Sequence, residues 1–237
     1  MTRVVAINGS ARMEKGNTAR VLTPFLDGMK EAGVSVDLFY AKRLNVRPCT
    51  GEFHCWYTKP GFCYQDDGMQ MLYPKLREAD ILVLATPVYI PLPGEMQNLI
   101  NRLCPLIEPR LVLRDGRTRA KLHDDVKIRK IALVSTSGWW EIGNFSTVVR
   151  IAEELAQDMS VEFAGAVLRP HAHLMVDSNE GKKKVMEALR QAGNELASKG
   201  QMSKGLLDAI SQPLVSEEEF RRSSNDEYES EWEKETK

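Results

Sequence analysis

Asn8-Gly9-Ser10-Ala11-Arg12-Met13-Glu14-Lys15-Gly16-Asn17-Thr18 follows the β-branched run Arg3-Val4-Val5-Ala6-Ile7. It precedes Val21, Leu22, Phe25, Leu26 and Met29, apolar residues at helical spacing. The order is strand, polar loop, helix. A loop of this kind offers backbone N–H groups, the Ser10 and Thr18 hydroxyls, the Arg12 guanidinium and the positive end of a helix dipole, which are the donors a phosphate needs. The same residues also read as a plain βα loop in which Asn17 or Thr18 caps the helix. Both readings stand at this point. The stretch has neither the GKS/T ending of a Walker loop nor G-x-G-x-x-G. That argues against a nucleoside triphosphatase and a Rossmann dinucleotide site, and favours one phosphate on a smaller cofactor.

Outward from this loop, composition narrows the class. Of 237 residues, 43% are apolar, enough for a substantial core, and the net charge is −1. Near-neutrality gives no general mandate to bind nucleic acid or an anionic membrane. No apolar run approaches a membrane span, and the chain opens on a strand pattern without signal-peptide character. The expected location is the cytoplasm, where the four cysteines would be mostly reduced.

The rest of the chain alternates strand and helix. Residues 34–39 read as a strand, and Asp67 is placed to cap a helix carrying Met69, Leu72 and Leu76. Residues 80–85 and 130–135 are continuous apolar runs of the kind buried on both faces of a parallel sheet. Helices are expected from about Pro93, over 148–159 and over 180–198, with a strand at 161–168. Between 107 and 129 the pattern breaks down around Asp115-Gly116, a hairpin dipeptide. Five strand–helix alternations predict an α/β, doubly wound, mainly parallel sheet. Residues 1–200 read as that domain and 201–237 as a helical, acidic extension. In the extension Leu206, Leu207 and Ile210 form a docking helix, and Ser216-Glu217-Glu218-Glu219 is a capping box. From 217 to 237 nine acidic residues face four basic ones, a solvated tail or an arm for a neighbouring subunit, with Phe220, Tyr228 and Trp232 as anchors.

In open α/β sheets, ligands bind outside the carboxyl ends of the strands. Three loops fall there: 8–18, 86–91 with Pro87 and Tyr89, and 135–140 with Gly138 beside hydroxyls and indoles. A planar heteroaromatic cofactor carrying one phosphate is served by all three.

Gly9-Ser10-x-Arg12 with Gly16-Asn17-Thr18, Ala79-Asp80 leading to Thr86-Pro87-Val88-Tyr89, and Asn101-Arg102 in the next helix resemble the NAD(P)H-dependent FMN reductase family, in particular its iron–sulfur flavoprotein branch. The resemblance covers residues 3–170. It implies a flavodoxin-like five-stranded sheet of order 2-1-3-4-5 with non-covalent FMN. It further implies that Ser10, Arg12, Asn17 and Thr18 hold the FMN phosphate. Pro87, Val88 and Tyr89 would line the isoalloxazine and ribityl side, and Thr136, Ser137 and Gly138 the other flank. Homodimers or homotetramers are implied as well. The function expected is electron transfer from NAD(P)H through FMN to a quinone, another small acceptor or an iron–sulfur centre. The alternative is a non-enzymatic electron carrier between protein partners. The flavin does the chemistry, so no side chain is assigned as acid, base or nucleophile.

The iron–sulfur branch carries four cysteines in one loop. Cys49, Cys55 and Cys63 match the first, third and fourth, but Glu52 stands at the second. A 4Fe–4S cluster takes four thiolates, so Glu52, His54 or Cys104 would have to substitute. A zinc ion on the three cysteines and His54 is a further possibility, and a loop that has lost its cluster is another. Cys104 reads most simply as a core residue, and His171 and His173 as polar residues at a strand end. Trp56, Tyr57, Tyr89, Trp139 and Trp140 are candidates to surround the flavin or to pack in core and interface. Arg110, Arg114, Arg117, Arg119 and Lys121 read as a solvated insertion or as a site for the NADPH 2′-phosphate.

Overall fold

The continuous apolar runs owe their composition to helices on both faces of one sheet. In the computed structural model, which describes residues 1–176 and 180–235, the strands are β1 (Arg3–Asn8), β2 (Ser35–Tyr40), β3 (Ile81–Pro87), β4 (Ile107–Arg114), β5 (Arg117–Leu122), β6 (Lys130–Thr136) and β7 (Glu162–Arg169). The helices are α1 (Asn17–Glu31), α2 (Ala41–Leu44), α3 (His54–Tyr57), α4 (Gly68–Glu78), α5 (Gly94–Asn101), α6 (Ser146–Met159), α7 (Glu180–Lys199), α8 (Lys204–Ser211) and α9 (Glu217–Glu235).

Five strands form a parallel sheet in the order β2-β1-β3-β6-β7. Numbered among themselves these five run 2-1-3-4-5, the flavodoxin-like order. The two remaining strands, β4 and β5, make an antiparallel hairpin inserted before the fourth. Asp115 and Gly116 join them with φ of 49° and 73°, the doubly positive turn that matches strand twist.

Alternate residues of each central strand serve opposite faces. Val5, Ile7, Leu82, Leu84, Ile131 and Leu133 pack in one core with α4, α5 and α6. Val4, Ala6, Val83, Ala85, Ala132 and Val134 pack in the other with α1, α7 and α8. The α1–α7 contact is backbone on backbone. A Cβ on Gly28 would stand 1.8 Å from the Arg190 carbonyl oxygen, and one on Gly193 1.9 Å from that of Phe25.

The hairpin is not a loose insertion. Arg119 pairs with Asp158 at 2.9 Å and Arg117 with Glu154 at 3.8 Å, both on α6. Those carboxylates lie in the C-terminal half of α6, towards the amino ends of the strands. Arg114, which donates to the Gln157 carbonyl, Arg117 and Arg119 are thus engaged on the side of α6 away from the three strand-end loops, which counts against the 2′-phosphate reading.

At the end of β7, Arg169 is fully buried and held by acceptors other than carboxylate. It donates to the carbonyls of Ile210 (2.6 Å), Gln212 (2.7 Å) and Pro170 (3.0 Å), and to His171 Nε2 (2.6 Å). Burial pulls its pKa down to about 10. His171 is fully buried too, which corrects its placement as a polar edge residue. Its Nε2 also accepts from Leu214 N–H at 3.2 Å, so the ring is neutral with its proton on Nδ1. Of the expected capping box the N-cap bond forms, with Glu219 N–H donating to Ser216 Oγ at 3.2 Å. Phe220 then lays its ring against His171 and His173, anchoring the start of α9.

Candidate functional site

The opening loop leaves β1 at Gly9, whose N–H donates to the Ala85 carbonyl at 2.7 Å. Ser10 N–H donates to Asn8 Oδ1 at 2.9 Å, and a short 3₁₀ turn at Met13–Lys15 returns the chain to Gly16. Gly16 occupies the N-cap of α1 and supplies no capping side chain. The cap reading of Asn17 and Thr18 therefore fails, and both residues lie inside the first turn. The first N–H groups of a helix have no intrahelical partner, so the start of α1 points free donors at the loop. A Cβ on Gly16 would fall 2.4 Å from Ser10 Oγ, so only glycine lets the helix begin against that buried hydroxyl. Lys42, from α2, reaches over the loop to the Ala11 carbonyl at 3.2 Å. It adds a cation that no local sequence pattern announced, because it arrives from the helix that follows the neighbouring strand. Arg12 is exposed at the loop tip.

Three loops meet here through specific bonds. Thr18 Oγ1 and Thr136 Oγ1 are hydrogen-bonded at 2.9 Å, joining the first loop to the third. Val88 N–H donates to the Thr136 carbonyl at 2.8 Å, joining the second to the third. Ser135 Oγ donates to the Thr86 carbonyl at 2.8 Å, and Ser137 N–H to that of Arg169 at 3.1 Å. Ser10, Thr18, Thr136 and Ser137 are buried at this junction, and Pro87 and Val88 are half-buried. Gly138 is exposed, with open space beside it. Asn17 is half-buried and its Oδ1 accepts from Arg20 at 2.7 Å. Tyr89 and Trp139 stand exposed on either side, with Ile90 fully exposed next to Tyr89. Trp140 turns inward to stack on His171. The arrangement offers anion donors at one end and a flat, partly apolar edge at the other. A planar cofactor with a terminal phosphate fits that donor set.

Trp56 and Tyr57 lie elsewhere, packed with Phe53 in the loop after α2. Asp67 and Arg102 tether that loop. The Arg102 side chain is 1% exposed and donates to Asp67 Oδ2 at 2.8 Å, Asp67 Oδ1 at 3.2 Å and the Arg47 carbonyl at 2.9 Å. Asp67 also accepts from Met69 N–H as the α4 cap, as expected, and from Arg47 N–H. Burial resists its ionisation, but these donors prevail and hold its carboxyl below the usual range. The pairing of Asp67 with Arg102, distant in sequence, was not readable from either residue alone. Cys49 is exposed, while Cys55, Cys63 and Cys104 are half-buried, so Cys104 is not the enclosed core residue it resembled. Among the described residues, no three His, Cys, Asp or Glu side chains are grouped so as to hold a single metal ion. Zinc on Cys49, Cys55, Cys63 and His54 therefore has no support.

The sequence profile of the NADPH-dependent FMN reductase family matches residues 2–177. An iron–sulfur flavoprotein of Methanosarcina thermophila is 29% identical over 114 residues, covering 48% of this chain and 58% of that protein. One from Archaeoglobus fulgidus is 32% identical over 101 residues, covering 42% and 48%. The chain thus spans about half the length of these curated relatives. Among solved structures, an FMN-dependent NADH-azoreductase of Bacillus anthracis, in complex with FMN, superposes with a TM-score of 0.59 at 13% identity, covering 83% of this chain and all of that one. An NAD(P)H:quinone oxidoreductase of Methanothermobacter marburgensis gives 0.55 at 16% identity, covering 82% and 96%. No helix among the described residues is long and apolar enough to cross a membrane. With the family profile matched over most of its length, on a flavodoxin-like sheet, the chain belongs to the NADPH-dependent FMN reductase family.

Proposed function

We propose that this protein is an FMN-dependent oxidoreductase that takes electrons from NAD(P)H and delivers them to a quinone or another small acceptor. The observation that carries the reading is the uncapped start of α1, set by Gly16 against buried Ser10 and tied through Thr18 to Thr136 on β6. When bound, FMN supplies hydride acceptance and onward electron transfer. The protein's part is to bind, orient and exclude water. The N–H groups of Asn17 and Thr18, the Ser10 hydroxyl, Arg12 and Lys42 receive the phosphate. Pro87, Val88 and Tyr89 line one side of the ring system, and Thr136, Ser137 and Gly138 the other. The Thr18–Thr136 bond fixes the distance between the phosphate end and the ring end. Tyr89 and Trp139 present exposed aromatic faces on which a nicotinamide or a planar acceptor stacks. The exposed Ile90 beside them supports a homo-oligomer in which a second copy covers this rim.

Titration with FMN followed by anaerobic mixing with NADH or NADPH tests the reading. Stoichiometric flavin binding and rapid bleaching by a reduced nicotinamide are expected. Failure to bind FMN overturns the site. Binding without bleaching by either nucleotide replaces the enzyme with an electron carrier between proteins.

A further inference from the structure

The turn Ser137–Trp140 has little to hold it from within. Trp139 N–H donates to Ser137 Oγ at 3.0 Å, while Gly138 and the Trp139 ring stand exposed. Its ties run to the end of β7. Ser137 N–H donates to the Arg169 carbonyl at 3.1 Å, His171 N–H to that of Trp139 at 2.9 Å, and Ala172 N–H to that of Ser137 at 2.9 Å. The Trp140 and His171 rings lie stacked, with centroids 6.4 Å apart and planes 17° from parallel. The turn is therefore only as fixed as residues 169–172.

Those residues do not support themselves. His171 has a φ of 38°, a left-handed conformation that a residue other than glycine adopts under strain and keeps where its surroundings impose it. What imposes it comes from residues 210–220. The carbonyls of Ile210 and Gln212 take up Arg169 Nη1, and Leu214 N–H donates to His171 Nε2 at 3.2 Å. Ser211 Oγ donates to the Leu168 carbonyl at 3.0 Å. The Phe220 ring then closes over both histidines, its centroid 6.0 Å from that of His171 and 5.6 Å from that of His173. All of these supporting groups lie beyond residue 177, where the match to the family profile ends.

We propose that residues 210–220 are a positioning element for the turn Ser137–Trp140, acting through Arg169 and His171, with Phe220 as the clamp. In the function proposed above, on which this step rests, Ser137 and Gly138 flank FMN and Trp139 receives a planar acceptor. The clamp then governs cofactor affinity and acceptor capture without touching either molecule. When it opens, the strain at His171 relaxes and the backbone bonds from residues 169–172 to the turn lose their geometry.

Phe220→Ala and Phe220→Leu test this in the full chain, with Tyr228→Ala at an exposed position of the same helix as the control. Amide hydrogen exchange, read without flavin, should quicken about two- to tenfold at residues 137–140 and 171–172 in Phe220→Ala, the size of one lost aromatic contact, with β1 unchanged. FMN titration should show a matching loss of affinity, and the visible circular dichroism of bound flavin should alter. In turnover with NADPH and menadione, KM for menadione should rise by a similar factor while kcat holds. Phe220→Leu keeps an apolar body over His171 and should recover most of each effect, and Tyr228→Ala should match the wild type. Unchanged exchange at the turn in Phe220→Ala overturns the proposal, as does a loosened turn with FMN affinity and KM unaltered. Exchange that rises equally in β1, or loss of the fold in both Phe220 variants, makes Phe220 a general support and overturns it too. A wild-type chain that binds no FMN overturns the flavin reading instead, while the exchange comparison still decides whether this segment holds the turn.

Discussion

The loops that follow β1 and β2 lie at the same edge of the sheet but are held by different means. The first, residues 9–16, is fixed largely by its own backbone and that of β3, through Gly9 to Ala85 and Gly16 to Met13. The second, residues 45–66, contains one short helix and depends on side chains brought in from α4 and the end of α5: Asp67, Gln70, Arg77 and Arg102. A backbone-held loop tolerates changes in its side chains and keeps its shape for a ligand. A side-chain-held loop fails when one tether is cut.

The largest effect should follow from cutting such a tether. Asp67→Ala leaves the Arg102 guanidinium buried and unpaired, and should destabilise the fold by about 3–5 kcal/mol in urea unfolding. A loss below 1 kcal/mol would show that the second loop is as self-supporting as the first.

Next comes His171, whose ring stacks against Trp140 of the third strand-end loop. Burial and the charge of Arg169 lower the pKa of His171 to about 4, below its unfolded value of about 6.5. The unfolded chain therefore binds the proton first as pH falls. The contribution is fully present above pH ~6.5 and drains between there and about 4 at ~1.4 kcal/mol per pH unit, roughly 3 kcal/mol in all. Unfolding curves across that window should show the slope, and His171→Phe should flatten it.

Arg12→Ala removes a charged donor from the backbone-held loop. It should weaken FMN binding by about 1.5–3 kcal/mol with the unfolding midpoint unchanged, read by flavin titration. An equal loss of stability would mean that this loop also rests on its side chains. The smallest effect belongs to the Thr18–Thr136 bond. Thr18→Ala and Thr136→Ala should each cost about 0.5–1.5 kcal/mol of stability, and the double variant less than the sum, since both remove the same interaction.

The same contrast explains what could be read from sequence. β3 and β6 were legible because burial on two faces makes every position apolar, so the run needs no phase. The Asp115-Gly116 turn was legible because its doubly positive φ selects those residues. The first loop and its meeting with residues 86–91 and 135–140 followed from strand–helix order, which brings strand ends together. Partners fixed only by the packed fold were illegible. Arg119 finds Asp158 and Asp67 finds Arg102 across intervals that carry no periodic signal. Lys42 over the first loop belongs to the same class. His171 was misplaced because nothing local shows that Arg169 beside it would be buried as well.

Arg169 has a practical corollary for anyone shortening this chain. Two of its bonds end on the carbonyls of Ile210 and Gln212, at and just past the last turn of α8. Trimming the protein after Gly200, at the close of the strand–helix alternation, would strip those acceptors from a cation with no access to water. The safe point of truncation lies beyond Leu214, whose N–H still serves His171, so the sheet's last strand is finished chemically by residues some forty positions downstream of it.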